Sequence, residues 1–103
     1  MTDQINQLAK GLTYEVTIDD VMEKHNIVRS VTWYEKKGDS FVGEAPIHHL
    51  KTSDLQAIFG VPKDDPMYDC YPIGASHVNT LQKFVDVKID IHSFDYFVEC
   101  GGV

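Results

Sequence analysis

Two stretches place carboxylates, tyrosines and a thiol at close spacing. They are Asp64-Asp65-Pro66-Met67-Tyr68-Asp69-Cys70-Tyr71-Pro72 and Phe94-Asp95-Tyr96-Phe97-Val98-Glu99-Cys100. Several chemistries use such residues. Paired carboxylates serve glycosidases as acid and base, but no second feature of this short chain supports that use. Cys70 and His77 could form a nucleophile pair, which needs an activating environment around the thiol. His48, His49, His77, His92, Cys70 and Cys100 include no Cys-x-x-Cys and no His-x-x-x-His spacing, the patterns that bring ligands to one ion. His48 and His49 are adjacent, and on extended chain adjacent side chains point to opposite faces. No glycine-rich phosphate-binding run is present. No catalytic residue, cofactor or metal is therefore expected, and a small Cys/His enzyme is kept as an alternative.

What the two stretches do suit is binding. A rigid set of carboxylates with aromatic anchors between them matches a basic protein surface. Asp64, Asp65, Tyr68, Asp69, Tyr71, Asp95 and Glu99 are the candidate partner-binding residues, with Tyr96 and Phe97 adjacent. Pro62 and Pro66 bracket the first pair and limit its backbone freedom. The bland alternatives are equally concrete. Asp64-Asp65 is also a common composition for a solvated turn. Asp69, Asp95 and Glu99 also suit the outward face of an antiparallel sheet.

Charge gives the polarity of the partner. The chain has 103 residues and a net charge of −7. Residues 1–52 hold eight acids and six bases (−2), and residues 53–103 hold eight acids and three bases (−5). Such a field repels phosphate backbones, so direct nucleic-acid binding is not expected, and it attracts basic proteins. Hydrophobic content of 43% and charged content of 24% are those of one globular domain. Met1 to Gln7 has neither a basic region nor an apolar run, and no window approaches the roughly 18 apolar residues of a membrane span. A cytoplasmic protein with reduced thiols and no membrane association is expected.

The elements that must position these residues follow from periodicity. Asp3–Lys10 has a weak helical stripe ending at Gly11. Leu12–Ile18 alternates as a strand would, and Asp19 could cap a helix to His25. Ile27–Glu35 is rich in β-branched and aromatic residues, with Ile27, Val31 and Trp33 on one face. Lys36-Lys37-Gly38-Asp39-Ser40 is turn chemistry, and Phe41–Ala45 returns as the second strand of a hairpin closed by Pro46. Trp33, Tyr34 and Phe41 read as hairpin and core packing. Leu55, Ile58 and Phe59 form the buried stripe of a helix capped by Thr52 or Ser53 and stopped by Gly60. Met67–Ile73 reads as a third strand. Ser76 caps a helix over His77–Asp86, and Val87–Ile91 is extended. In the last strand Phe94, Tyr96, Val98 and Cys100 face one way, with Asp95, Phe97 and Glu99 on the other. The expected fold is α+β: an antiparallel sheet of about four strands with two or three helices on one face.

Across residues 27–100 the Trp33-Tyr34 hairpin, the Leu55–Gly60 helix, the tyrosine-rich strand and the C-terminal strand resemble a loosely characterised family of small bacterial proteins. Some of its members look like immunity proteins encoded beside polymorphic toxins, including those of contact-dependent growth inhibition systems. The resemblance implies no catalysis. It implies binding and neutralisation of a cognate toxin domain, often a nuclease, by occlusion of its active site. Residues 1–26 have no counterpart in it and read as a variable N-terminal segment. A protein-binding or structural module unrelated to toxins is the other reading.

Overall fold

The computed structural model describes residues 16–102. The expected helix over Asp3–Lys10 and the first residues of the expected strand from Leu12 lie outside them. The described chain begins with helix α1 (Ile18–Lys24), so Ile18 is helical and not the end of a strand. Thr17 and Asp20 close a reciprocal cap. The Asp20 N–H donates to the Thr17 hydroxyl at 3.1 Å, and the Thr17 N–H donates to the Asp20 carboxylate at 3.1 Å, satisfying two orphan donors of the first turn.

Strands β1 (Ile27–Glu35) and β2 (Phe41–Pro46) form the expected hairpin. Gly38 and Asp39 take positive φ in its turn (+91° and +55°), where Gly, and less freely Asp, are tolerated. The register shifts after Trp33. Trp33 faces Gly43 and Tyr34 faces Phe41, which leaves Val42 as the extra residue of a bulge. A Cβ on Gly43 would lie 2.7 Å from the Trp33 ring, so the indole covers a position where only glycine leaves it room.

Helix α2 (Thr52–Phe59) ends at Gly60 in the left-handed conformation (φ +66°), as its sequence indicates. Its cap differs from expectation. Lys51 is the N-cap and Thr52 is already helical. The Lys51 N–H donates to the Asp54 carboxylate at 3.0 Å. Thr52 is engaged elsewhere. Its hydroxyl donates to Asp19 at 2.8 Å and accepts from Arg29 Nη2 at 2.8 Å, which ties α1 and β1 to the start of α2.

The third strand is shorter than the sequence indicates. Strand β3 is only Tyr71–Pro72. Met67 sits at φ +56°, a conformation that breaks extended chain and that a bulky residue adopts only under constraint. The constraint is visible. The Met67 N–H donates to Asp65 Oδ1 at 2.8 Å, and Arg29 Nη1 donates to the Met67 carbonyl at 2.6 Å. Helix α3 spans Ala75–Leu81, with Gly74 and not Ser76 at its N-cap, and a 3₁₀ turn continues to Phe84. Gln82 ends it. Its amide donates to the Val87 carbonyl at 2.8 Å and accepts from the Ile89 N–H at 2.8 Å, which holds residues 87–89 as irregular chain in place of an extended segment. Strand β4 (Phe94–Gly102) closes the sheet.

The sheet order is β2-β1-β4-β3, with every neighbouring pair antiparallel. The helices cover one face only, which makes this an α+β layer pair. Val31, Ala45, Tyr96 and Val98 from the sheet meet Leu55 of α2 and Leu81 of α3 in one core, with Met67, Ile73, Val85 and Ile89 from the connections. Val31, Leu55 and Leu81 are fully buried. Trp33 stacks on Tyr96 at 5.5 Å between ring centroids. Arg29 stands among these apolar positions on the same face of β1 and is 6% exposed. Its guanidinium also donates to the Pro66 carbonyl at 2.8 Å and the Met22 sulfur at 3.3 Å. The four acceptors all meet the two Nη groups, and Nε is buried without a partner.

Candidate functional site

The uncovered face of the sheet carries a row of aromatic side chains. Antiparallel register places Tyr34 opposite Phe41 on one side and Asp95 on the other, while Phe97 lies opposite Thr32. The rings meet edge to face, Tyr34 with Phe41 at 5.6 Å and Tyr34 with Phe97 at 5.7 Å, a geometry favoured by ring quadrupoles. Pro72 faces Phe97 from β3 and extends the row to the last strand. Phe41, Val42 and Val28 are the more exposed apolar residues of the hairpin, at 56%, 42% and 43%.

Beside this row stands Glu99. Its Oε2 accepts from the Thr32 hydroxyl at 2.6 Å and from the Tyr34 phenol at 3.1 Å. Two donors on neighbouring strand positions hold the carboxylate in one place. The bond to Glu99, first, and then burial push the Tyr34 phenol above its ordinary pKa. Cys70 is exposed as a residue, and its thiol is near enough to Glu99 to feel its charge. Burial, then the charge of Glu99, push the Cys70 pKa up. A thiol so placed keeps its proton at neutral pH and is a poor nucleophile. A depression of about 230 Å³ opens next to Glu99. Ser30 and Thr32 lie in it between Glu99 on β4 and Glu44 on β2, with Val28 and Gly101 at its end. Asp95, at the other end of the row, is in an ion pair with Lys36 at 3.0 Å.

The seven residues singled out in the sequence separate into groups. Asp95 and Glu99 are on the open face. Asp65 and Tyr71 are on the helix side of the β3 edge. There the Tyr71 phenol donates to Asp65 Oδ2 at 2.9 Å, and the Tyr71 ring packs against Phe59 of α2. That bond, first, raises the Tyr71 pKa, and the charge of Asp69 adds to it. Asp65 is also bound through its carbonyl to the Gln56 amide at 2.7 Å, so it is engaged within its own loop. Asp64, Tyr68 and Asp69 are exposed in the connection between α2 and β3. The structure thus gathers Asp95 and Glu99 with Tyr34, and sets Asp65 and Tyr71 apart from them.

Phe41, Thr32 and Glu44 were not among the candidate binding residues. The signal for them was present in the period-2 pattern. With Ile27, Val31 and Trp33 pointing inward, Tyr34 falls on the outward face, an aromatic where alternation places polar residues. The rings of His48 and His49 lie 6.1 Å apart, with His49 at φ +60° and not on extended chain. His48 pairs with Asp86 at 3.1 Å. His77 accepts from the Gly74 N–H at 2.9 Å and packs on Phe59 at 4.3 Å, on the helix side, away from Cys70. Among the described residues no three of His, Cys, Asp and Glu are grouped as ligands for an ion. Nor is any described helix long and apolar enough to cross a membrane.

Fold and site together define a small α+β domain with one helix-covered sheet face and one open face bearing aromatics and carboxylates. Residues 28–99 match the family described as a domain of unknown function, DUF7683, and the chain belongs to that family. The match contains the whole open-face cluster and leaves α1 outside. The chain is also similar to a DNA primase of Treponema pallidum (strain Nichols), with 33% identity over 76 residues. That stretch is 73% of this chain and 12% of the primase, so the likeness concerns a small part of the larger protein.

Proposed function

We propose that this chain is an immunity protein that binds and neutralises a cognate toxin domain, a basic nuclease, in the cytoplasm. It acts by occlusion and turns over no substrate. The observation that carries the reading is a net charge of −7 combined with carboxylates immobilised beside aromatic rings. Glu99 is held by two hydroxyls, and Asp65 by a backbone N–H and a phenol. Carboxylates fixed before binding lose little freedom when they meet a phosphate-binding site, and their field speeds the encounter. The toxin role itself rests on the resemblance of residues 27–100 to immunity proteins.

Identification of a toxin domain encoded beside this gene, followed by co-expression of the two, tests the reading. Restored growth and a complex that weakens with salt are the expected results. Paired reversals, Asp64→Lys with Asp65→Lys or Asp95→Lys with Glu99→Lys, should weaken the complex in chains that still fold. Growth that stays arrested, or affinity indifferent to both reversals, overturns it.

The likeness to part of a DNA primase favours a second reading. Here the domain is a module that contacts neighbouring domains of larger proteins and has no part in toxin neutralisation. The same co-expression separates the two, because a module of that kind leaves the toxin active.

A further inference from the structure

A protein-binding domain needs a surface that makes the contact, and the inference about that surface rests on the protein-binding reading. We propose that the open sheet face is the docking surface, and that it receives a protein segment led by an arginine side chain, seated on the Tyr34–Phe97 rings and paired with Glu99.

Three observations converge there. The opposite face is covered by α2 and α3, whereas this one leaves Phe41 and Val28 about half exposed. The aromatic row is held edge to face and offers ring faces on which a guanidinium stacks well. The charge then selects the cation. Glu44, Asp95 and Glu99 share the face with Lys36, and Lys36 is already taken by Asp95. Glu99 has only neutral donors, the Thr32 and Tyr34 hydroxyls and the Cys70 thiol, among the described residues, and Glu44 faces it across the 230 Å³ depression. Two carboxylates across a floor of Ser30 and Thr32 suit a planar, multiply donating group better than a neutral one. The Asp64–Asp65 loop lacks this combination, because the Asp65–Tyr71 pair lies on the helix side of the β3 edge with the Tyr71 ring packed on Phe59.

The test follows backbone amide shifts of the full chain during titration with a short capped peptide alternating arginine and leucine, and separately with oligo-dT. Shifts confined to Ser30, Thr32, Tyr34, Glu44, Phe97 and Glu99 are expected. Glu99→Gln and Glu44→Gln should each weaken binding about tenfold, while Glu23→Gln on the exposed side of α1 leaves it unchanged. Glu44 makes no side-chain hydrogen bond within the described chain, so its variant reports on binding even if Glu99→Gln disturbs folding. Shifts confined to residues 62–69, lost in Asp64→Asn, overturn the sheet-face site and leave the basic-partner reading standing. No binding of the peptide at any position overturns both. Oligo-dT binding across the aromatic row overturns the protein partner in favour of a nucleic acid.

Discussion

Tyr34 is the residue on which most of the open face converges: it touches Phe41 and Phe97 and donates to Glu99. Its phenol therefore ionises above the ordinary value of about 10. A raised pKa in the folded chain contributes stability that is complete below about 10 and is lost as pH rises through the folded value. An ultraviolet titration should show late-ionising tyrosines, and Tyr34→Phe should remove one late step. Glu99→Gln should bring that step down toward the ordinary range. An unchanged titration in Glu99→Gln would show that the bond is not made in solution. A second residue-scale test concerns packing. Gly43→Ala drives a methyl into the Trp33 ring, which is itself stacked on Tyr96. The ring cannot retreat freely, so a loss of about 1–3 kcal/mol is expected from denaturant unfolding. A loss within experimental error would mean that the indole moves aside.

At the scale of elements, much was legible in the sequence. The 27–46 hairpin, the helix ending at Gly60 and the two faces of the last strand follow from local patterns: alternation, turn residues and a left-handed stop. The parts that could not be read depend on distant partners. Residues 67–73 look like a strand because they are aromatic and apolar. The Asp65 and Arg29 bonds to Met67 break that run, and Arg29 is 38 positions away from Met67. Thr52 looks like a cap, but Asp19 and Arg29 claim its hydroxyl. The candidate site suffered likewise. Asp64 to Tyr71 are neighbours in sequence, yet β3 sends Tyr71 toward the helices while Glu99 faces the opposite side. Helix α1 carries its own prediction. The Thr17 backbone N–H, then its hydroxyl, hold the Asp20 carboxyl below the usual carboxylate range. A depressed pKa contributes stability above the unfolded value of about 3.9, and that contribution is lost as pH falls through the folded value. Amide exchange in α1 should accelerate in that acid window before the sheet does, and Asp20→Asn should flatten the dependence. Equal protection of α1 on both sides of the window would refute the cap as its anchor.

For the whole molecule, Arg29 joins what the chain order separates. From β1 it reaches Met22 of α1, Thr52 of α2 and the Pro66–Met67 connection. Replacement by leucine leaves two carbonyls without a donor in the interior, a cost of about 1–3 kcal/mol each. Arg29→Leu should therefore lower the urea midpoint at least as far as Leu55→Ala, for which about 2–5 kcal/mol is expected from the cavity. A midpoint close to that of the parent chain would mean that the apolar replacement packs well enough to offset the lost bonds.

The bulge at Val42 and the brevity of β3 bear on how such a domain can display an apolar face and still avoid sticking to its own kind. Fibre growth needs a straight margin of free amides on which the next copy can lie. One margin here is kinked by an extra residue, carries the Glu44 charge and ends in Pro46. The other is interrupted by a two-residue stub that includes a proline and pairs with Phe97 and Val98 in the middle of β4. With both borders blunted against strand addition, contact is steered onto the flat of the sheet, where side chains choose the guest and backbone does not.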